Sequence, residues 1–228
     1  MVKYKNILFD IDNTLLDFEA AEASALNELF RLRGAELTVE KAAKYHEINS
    51  SLWKRHETEG LPVDDVVNSR FKLLFEAYGE EVDGRALEQQ YRMFLNNGHD
   101  KIADAEVVLE KLDGRARLYV VTNGVKETQL KRMKEAGLDH YFKQFFISSE
   151  IGHQKPTAEF FEHAFERIDA FLPGDTLIIG DSLGADIKGG SQAGIDTCWF
   201  NPKGQKNTSD IVPTFEIRKL MEVLDIVC

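Results

Sequence analysis

The stretch FDIDNTLLDF, residues 9–18, places two carboxylates at the end of a short apolar run. Asp10 and Asp12 stand two residues apart after Ile7-Leu8-Phe9, and Thr14 follows them. A short apolar run that ends in this way predicts a buried strand, so two like charges lie where the strand emerges. Because residues i and i+2 of an extended chain share a side, we expect both carboxylates to face one point.

Further apolar runs predict strands, and helical patterns separate several of them. The runs lack strict alternation, which is typical of strands covered on both faces. Residues 125–137 place Leu130, Met133 and Ala136 on one helical side, and a second helix is predicted to start at Pro156. Strands that alternate with helices predict an α/β fold with a doubly wound, Rossmann-like parallel sheet. The runs are NILFDID (6–12), RLYVVTNG (117–124), QFFISSEIG (144–152), DTLIIGDS (175–182) and IDTCWFNP (195–202).

The segment between the first two predicted strands is different. Residues 16–96 carry helical patterns and no convincing strand, with Thr38 as a suitable N-cap for a long helix that Gly60 closes. Such a segment, roughly 80 residues, is too long for an ordinary crossover between strands. We therefore expect an inserted all-helical cap domain at 16–96 and a catalytic core made of residues 1–15 and 97–228.

Composition is ordinary for a soluble globular protein and limits the partners that it can bind. The net charge is 28 − 39 = −11, which argues against a nucleic acid polymer as partner but allows a small anion beside a local cation. No apolar segment approaches the roughly 20 residues that span a bilayer, and the N-terminal run is too short for a signal peptide. Cys198 and Cys228 are too few for a disulfide framework or a zinc site. We expect a cytoplasmic protein without a membrane partner, either a monomer or a homodimer.

Polar side chains follow the predicted strands at their carboxyl ends, where ligands bind in such sheets. Besides the two acids of the first strand, Thr122 and Asn123 end the second run, Asp181 ends the fourth, and Asp186 follows it. Lys155 opens the helix after the third run. Clustered acids repel one another, so a divalent cation is the simplest compensation, and oxygen ligands suit Mg²⁺. One carboxylate of the first strand can then act as a nucleophile while the other protonates the leaving oxygen and activates water.

Four of these segments resemble the motifs of the haloacid dehalogenase superfamily. DIDNT is similar to the first motif, the threonine of TNG to the second, the lysine of QKP to the third, and GDSLGAD to the fourth. The motifs occur in the order of that family, and the helical insertion lies where cap-bearing members carry theirs. Four motifs in the right order are a specific signal, unlike a single short motif.

The resemblance implies a role for each acid of the first motif. Asp10 would be the nucleophile that becomes an aspartyl-phosphate. Asp12 would be the general acid/base, and its backbone carbonyl would bind Mg²⁺. Dehalogenating members lack this second acid because a halide needs no protonation, so Asp12 favours hydrolysis of a phosphate ester.

The other motifs imply the remaining parts of the site. Thr122 and Asn123 would hold the transferring phosphoryl group, and Lys155 would neutralise its charge. Asp181 would bind the metal directly, and Asp186 would be an additional or water-mediated ligand. Such a site works by positioning and charge neutralisation, as phosphoryl transfer requires.

The substrate class follows from a finer resemblance. FDIDNTLLDF, the helical cap and WFNPKG (199–204) resemble the bacterial pyrimidine 5′-nucleotidase subgroup, which predicts a small phosphorylated metabolite, a nucleoside 5′-monophosphate, as substrate. Sugar phosphates and phosphoglycolate are the alternatives within the phosphatases. A 2-haloacid dehalogenase and a non-enzymatic phosphoacceptor module similar to a response-regulator receiver are the alternatives outside them. Receivers are shorter and uncapped, and their acceptor acid does not lie on the first strand.

Overall fold

The computed structural model describes residues 2–228. Within that range six parallel strands form one sheet in the order β3-β2-β1-β4-β5-β6. Together with the helical insertion, this sheet confirms the predicted fold class. The strands are β1 (Asn6–Phe9), β2 (Arg117–Thr122), β3 (Phe142–Ile147), β4 (Thr176–Gly180), β5 (Asp196–Phe200) and β6 (Phe215–Ile217).

The central strands β1 and β4 are buried on both faces, as the continuous apolar runs predict. Ile7 and Phe9 of β1 pack into one hydrophobic core, whereas Leu8 between them packs into a second core on the other face. Both cores are contiguous clusters of side chains from the sheet and the helices that cover it. The alternation of side chains along a strand thus explains why every position of β1 is apolar or buried.

The helices connect the strands and form the insertion. No helix within residues 2–228 is long and apolar enough to cross a membrane. Short 3₁₀ turns at Asp139–Tyr141, Pro173–Asp175 and Leu220–Glu222 and a π-helical turn at Leu183–Ile187 complete the pattern. The α-helices are α1 (Phe18–Leu32), α2 (Val39–Glu59), α3 (Val63–Glu76), α4 (Gly84–Leu95), α5 (Ala105–Leu112), α6 (Lys126–Glu135), α7 (Ser148–Ile151), α8 (Ala158–Phe165), α9 (Lys188–Gln192) and α10 (Val223–Val227).

Two local predictions were wrong, and one strand was not predicted. The run 144–152 is not one strand, because β3 ends at Ile147 and residues Ser148–Ile151 turn into α7. The helix predicted from Pro156 begins two residues later, at Ala158, after the N-cap Thr157. The strand β6 was not predicted, because its three residues are too few to show a period.

The chain forms two compact units, one that runs to Asp17 and resumes as His99–Cys228, and one that comprises Phe18–Gly98. The second unit is the helical insertion, α1 to α4. Thr38 caps α2 by accepting a hydrogen bond from the Lys41 backbone N–H, and Gly60 ends the helix in a left-handed conformation, as predicted. Assigning the two units as catalytic core and cap stays a prediction.

The helical unit buries a polar network within its core. Arg70 of α3 donates from Nε and Nη2 to Glu88 Oε2 of α4 at 2.8 and 2.7 Å, and from Nη1 to Asn49 Oδ1 at 3.3 Å. Asn49 Nδ2 in turn donates to Glu22 Oε1 of α1 at 3.0 Å. Because Arg70 and Glu88 are only 2% and 3% exposed, each needs the other to compensate its lost hydration.

We expect Arg70→Met to destabilise this unit by about 3 kcal/mol, since it leaves the Glu88 carboxylate buried without the cation that binds its Oε2, although Arg92 still pairs with Oε1. Urea unfolding measures the change in the free energy of unfolding. Lys72→Met, which removes an exposed cation 3.6 Å from Glu76, is the matched control and should change it by less than about 1 kcal/mol. Equal stability of the two variants would contradict the role given to the buried pair.

Candidate active site

The candidate site lies at the carboxyl ends of three neighbouring strands. The connection after β1 runs to β2, whereas the connection after β4 runs to β5 on the opposite side of the sheet. The winding therefore reverses between β1 and β4, and such a point of reversal is where parallel sheets form a ligand crevice. Asp10 follows β1, Thr122 ends β2, and Asp181 follows β4. The topology therefore brings together side chains that are up to 171 residues apart in the sequence (181 − 10 = 171).

Lys155 binds two of the acids in the interior of this site. Its Nζ donates to Asp10 Oδ1 at 2.7 Å, to Asp186 Oδ1 at 2.6 Å and to the Val121 carbonyl at 2.8 Å. The residue is 1% exposed, and the three contacts account for all three protons of an ammonium group. Lys155 does not open a helix as predicted, because α8 begins only at Ala158. Its contacts show a lysine that holds the acids in place.

Asp186 reaches the cluster because residue 180 is a glycine. A Cβ at Gly180 would lie 2.1 Å from Asp186 Oδ2, so any side chain there would displace the carboxylate. Asp186 Oδ2 also accepts a hydrogen bond from the Ser182 backbone N–H at 3.1 Å. The sequence GDSLGAD therefore forms a close turn in which the acid at its end folds back onto the glycine at its start.

The pKa values of Asp10 and Asp181 are raised. Burial raises the pKa of Asp10 well above its ordinary value, Lys155 opposes this shift, and the carboxylates of Asp186 and Asp181 add to it. Burial, followed by the charge of Asp186, raises the pKa of Asp181 to about 7. Burial alone would lower the pKa of Lys155, but Asp10 and Asp186 outweigh it, so this pKa lies above its usual range. One lysine therefore does not compensate three acids.

The same acids suit a divalent cation. Asp10, Asp181 and Asp186 each offer a carboxylate oxygen, and these oxygens lie within 4.8 Å of one another, near the roughly 4 Å that separates opposite ligands of Mg²⁺. All three donors are hard oxygens, and three negative charges face one lysine, so the residues fit Mg²⁺ in both chemistry and charge. The carboxylate of Asp12 is not part of this group, and a role for its backbone carbonyl stays a prediction.

Thr122 and Asn123 have different surroundings. The Thr122 hydroxyl accepts hydrogen bonds from the Gly124 N–H and from Gln129 Nε2, both at 3.0 Å, so its own proton is left to donate. The Asn123 amide instead pairs with the backbone of Lys155, donating to its carbonyl and accepting from its N–H at 2.9 Å in each case. Asn123 thus fixes the loop that carries Lys155.

The Asp12 carboxylate binds to helix α6, which the sequence did not lead us to expect. Arg132 Nη1 donates to Asp12 Oδ1 at 2.5 Å, and Gln129 Nε2 donates to Asp12 Oδ2 at 2.8 Å. Asp10 and Asp12 therefore pair with different cations, Lys155 and Arg132. The strand β1 ends at Phe9, so the alternation of side chains along a strand does not apply to Asp10 and Asp12. That both carboxylates face one point stays a prediction.

The buried face of α6 was also predicted wrongly. Leu130, placed on the apolar side, is 37% exposed, whereas Gln129 and Arg132 are buried together with Met133. Positions 129, 132, 133 and 136 follow the helical period equally well. The helical period therefore allowed the burial of these two polar residues. A glutamine and an arginine on a helix are ordinarily assigned to the solvent-exposed face, however, unless an acid is known to lie opposite them.

Comparison with known sequences gives one family. The model of the family described as haloacid dehalogenase-like hydrolase matches residues 4–194. The chain is 50% identical over 226 residues to the HAD-hydrolase YfnB of Bacillus subtilis (strain 168), covering 99% of this chain and 96% of YfnB. It is 41% identical over 223 residues to the pyrimidine 5′-nucleotidase PynA of Streptococcus pneumoniae, covering 97% and 94% of the two chains. It is 27% identical over 227 residues to the pyrimidine 5′-nucleotidase YjjG of Escherichia coli, covering 100% and 99%.

Comparison with solved structures agrees with the sequence matches. The crystal structure of B. subtilis YfnB bound to magnesium matches with a TM-score of 0.93 over 98% of both chains. The similarity therefore covers the sheet and the helical insertion alike.

Proposed function

The chain belongs to the haloacid dehalogenase-like hydrolase family, as its four motifs predict, and on this premise we propose that it is a Mg²⁺-dependent phosphomonoesterase that acts on a pyrimidine nucleoside 5′-monophosphate. The main observation in support of this reaction is that the two carboxylates of the first motif pair with separate cations, Asp10 with Lys155 and Asp12 with Arg132. Two carboxylates in different surroundings are suited to the separate roles of nucleophile and acid/base. The substrate class is supported by the similarity to PynA and YjjG.

In the first proposed step Asp10 attacks the phosphorus of the ester. Lys155 holds Asp10 Oδ1, so Oδ2 is the oxygen that forms the new bond. The bond between phosphorus and the ester oxygen breaks, and that oxygen takes a proton from Asp12. The Thr122 hydroxyl, which accepts two hydrogen bonds from the protein, donates its proton to a phosphoryl oxygen. The products are the free alcohol and an aspartyl-phosphate at Asp10.

In the second step water replaces Asp10 on the phosphorus. Asp12 accepts a proton from the water, the oxygen of the water bonds to phosphorus, and the bond to Asp10 breaks to release inorganic phosphate. Mg²⁺ held by Asp10, Asp181 and Asp186 would supply positive charge that stabilises the negative charge of the phosphoryl oxygens. Lys155 supplies a fixed charge in the same region and keeps the nucleophile oriented.

Release of inorganic phosphate from a panel of esters tests this function. We expect Mg²⁺-dependent turnover of UMP, dUMP and dTMP that exceeds the turnover of sugar phosphates and phosphoglycolate. A chelator should abolish turnover, and added Mg²⁺ should restore it, because the three acids otherwise repel both each other and the substrate. Release from another ester alone would contradict the nucleotide substrate. Halide release from a 2-haloacid, without phosphate release, would contradict the reaction class.

A further inference from the structure

Two side chains of α6 contact Asp12 but have no part in the chemistry of the proposed reaction. Gln129 and Arg132 are 1% and 0% exposed, so packing fixes the rotamers of both. Asp12, in contrast, has a side chain that is 29% exposed. A half-exposed carboxylate on a loop therefore takes its orientation from two groups that are themselves immobile.

The contacts link the acid/base to the phosphoryl-binding threonine. Gln129 Nε2 donates to both Asp12 Oδ2 and Thr122 Oγ1, at 2.8 and 3.0 Å. Arg132 Nη1 donates to Asp12 Oδ1 at 2.5 Å and to Gln129 Oε1 at 3.2 Å. Each oxygen of Asp12 thus has its own donor, and the two donors also bind each other. We name this arrangement of Gln129 and Arg132 the α6 clamp.

The glycine of the TNG sequence makes room for the clamp. A Cβ at Gly124 would lie 2.4 Å from Gln129 Nε2 and 2.8 Å from Gln129 Cγ. Gln129 reaches both Asp12 and Thr122 only because this position has no side chain. The turn after β2 and the buried glutamine therefore form one local structure, which is separate evidence that the position of Gln129 is built into the fold.

We infer that Gln129 and Arg132 are positioning residues that orient the acid/base Asp12 and the phosphoryl donor Thr122 together, an inference that rests on the proposed function. An acid that must reach the leaving oxygen works only within hydrogen-bond distance of it, and a displacement of about 1 Å can cost about 10²-fold in rate. Gln129 fills the second lone pair of the Thr122 hydroxyl and thereby directs its proton away from the protein. The clamp would thus set both the distance from Asp12 to the leaving oxygen and the distance from the Thr122 hydroxyl to the phosphoryl group.

The leaving group of the substrate distinguishes this role from a purely structural one. A nucleoside alkoxide needs a proton when it leaves, whereas the p-nitrophenolate of p-nitrophenyl phosphate leaves readily without one. Loss of a correctly placed acid should therefore slow UMP hydrolysis far more than p-nitrophenyl phosphate hydrolysis. A general loosening of the fold would slow both to the same extent.

The experiment compares kcat and KM for UMP and p-nitrophenyl phosphate in the wild type, Arg132→Met, Arg132→Lys and Gln129→Leu. We expect Arg132→Met to lower kcat for UMP about 10²-fold with little change in KM, and to lower kcat for p-nitrophenyl phosphate less than about 10-fold. Arg132→Lys should recover part of the loss. Gln129→Leu should also raise KM, because Thr122 loses its orientation. Lys131→Met, on the exposed side of the same helix, is the control and should match the wild type.

A double mutant shows whether Arg132 acts through Asp12. In an Asp12→Asn background, Arg132→Met should cause no further loss of kcat, because the group it orients is gone. An additional 10²-fold loss in that background, or equal losses for both esters in the single variant, would overturn the inference while leaving the phosphatase function intact. No phosphate release from either ester by the wild type would overturn the proposed function, and the inference with it.

Discussion

Asp10→Asn is expected to lower kcat on the order of 10⁴-fold or more, because the neutral amide cannot take the place of the carboxylate as the nucleophile of the proposed reaction. The substitution keeps the size of the side chain, and the amide oxygen can still accept the hydrogen bond that Lys155 Nζ now donates to Asp10 Oδ1 at 2.7 Å. The surroundings of the site should therefore persist. The loss should appear in kcat, since the amide removes the bond-forming group and not a group that binds the ester.

Acid quenching during turnover of a ³²P-labelled ester measures the same step directly. The wild type should carry label on the protein, and Asp10→Asn should carry none. Asp175→Asn is the matched control, since Asp175 precedes β4 at the other end of that strand and pairs with Lys5 at 2.6 Å. Label retained on the Asp10→Asn protein would mean that another residue forms the covalent bond.

The same variant should also be at least as stable as the wild type. Burial and the nearby acids raise the pKa of Asp10 in the folded protein, so its ionised form costs stability at neutral pH relative to the unfolded chain. Removing the charge removes that cost. A thermal midpoint that does not fall, combined with lost turnover, separates a chemical role of Asp10 from a structural one.

The ends of these strands could be predicted from the sequence because they depend on residues that are neighbours in the chain. A short apolar run followed by an acid marks where a buried strand emerges, and a parallel sheet brings all such ends to one edge. Asp10, Thr122 and Asp181 follow from that rule alone. Thr38 and Gly60 are similar cases, since a cap depends on residues within one helical turn.

Side chains on the helices could not be placed in the same way. The buried Gln129 and Arg132 both bind Asp12, which is 117 and 120 residues away in the sequence, and nothing within α6 reveals that its polar side faces an acid. Lys155 was recognised, but not that all three of its protons bind protein atoms. Such contacts depend on tertiary packing, which overrides the ordinary preference of polar residues for water.

Lys155→Met is expected to lower kcat about 10²–10³-fold, because in the proposed reaction it removes a fixed positive charge beside the phosphoryl group and leaves the proposed nucleophile Asp10 without its hydrogen-bond donor. It should also destabilise the fold by about 3–5 kcal/mol, since Asp10 and Asp186 would stay buried without a cation. The loss of kcat and the loss of stability both arise from the contacts of Lys155 with Asp10 and Asp186, so they should appear together. Lys126→Met, which removes an exposed cation that pairs with Glu150, should change neither turnover nor stability.

The effect of added Mg²⁺ on the thermal midpoint of Lys155→Met tests how the lysine and the metal are related. A ligand that binds only the folded state stabilises it, and a site with one more uncompensated negative charge should gain more from a dication. We therefore expect Mg²⁺ to raise the thermal midpoint of Lys155→Met by more than that of the wild type. Asp10, Asp181 and Asp186 would then bind the metal without the lysine that now binds Asp10 and Asp186. A smaller rise of the thermal midpoint in the variant than in the wild type would contradict this expectation. It would mean that Lys155 helps to form the metal site and does not compete with the metal for the same carboxylates.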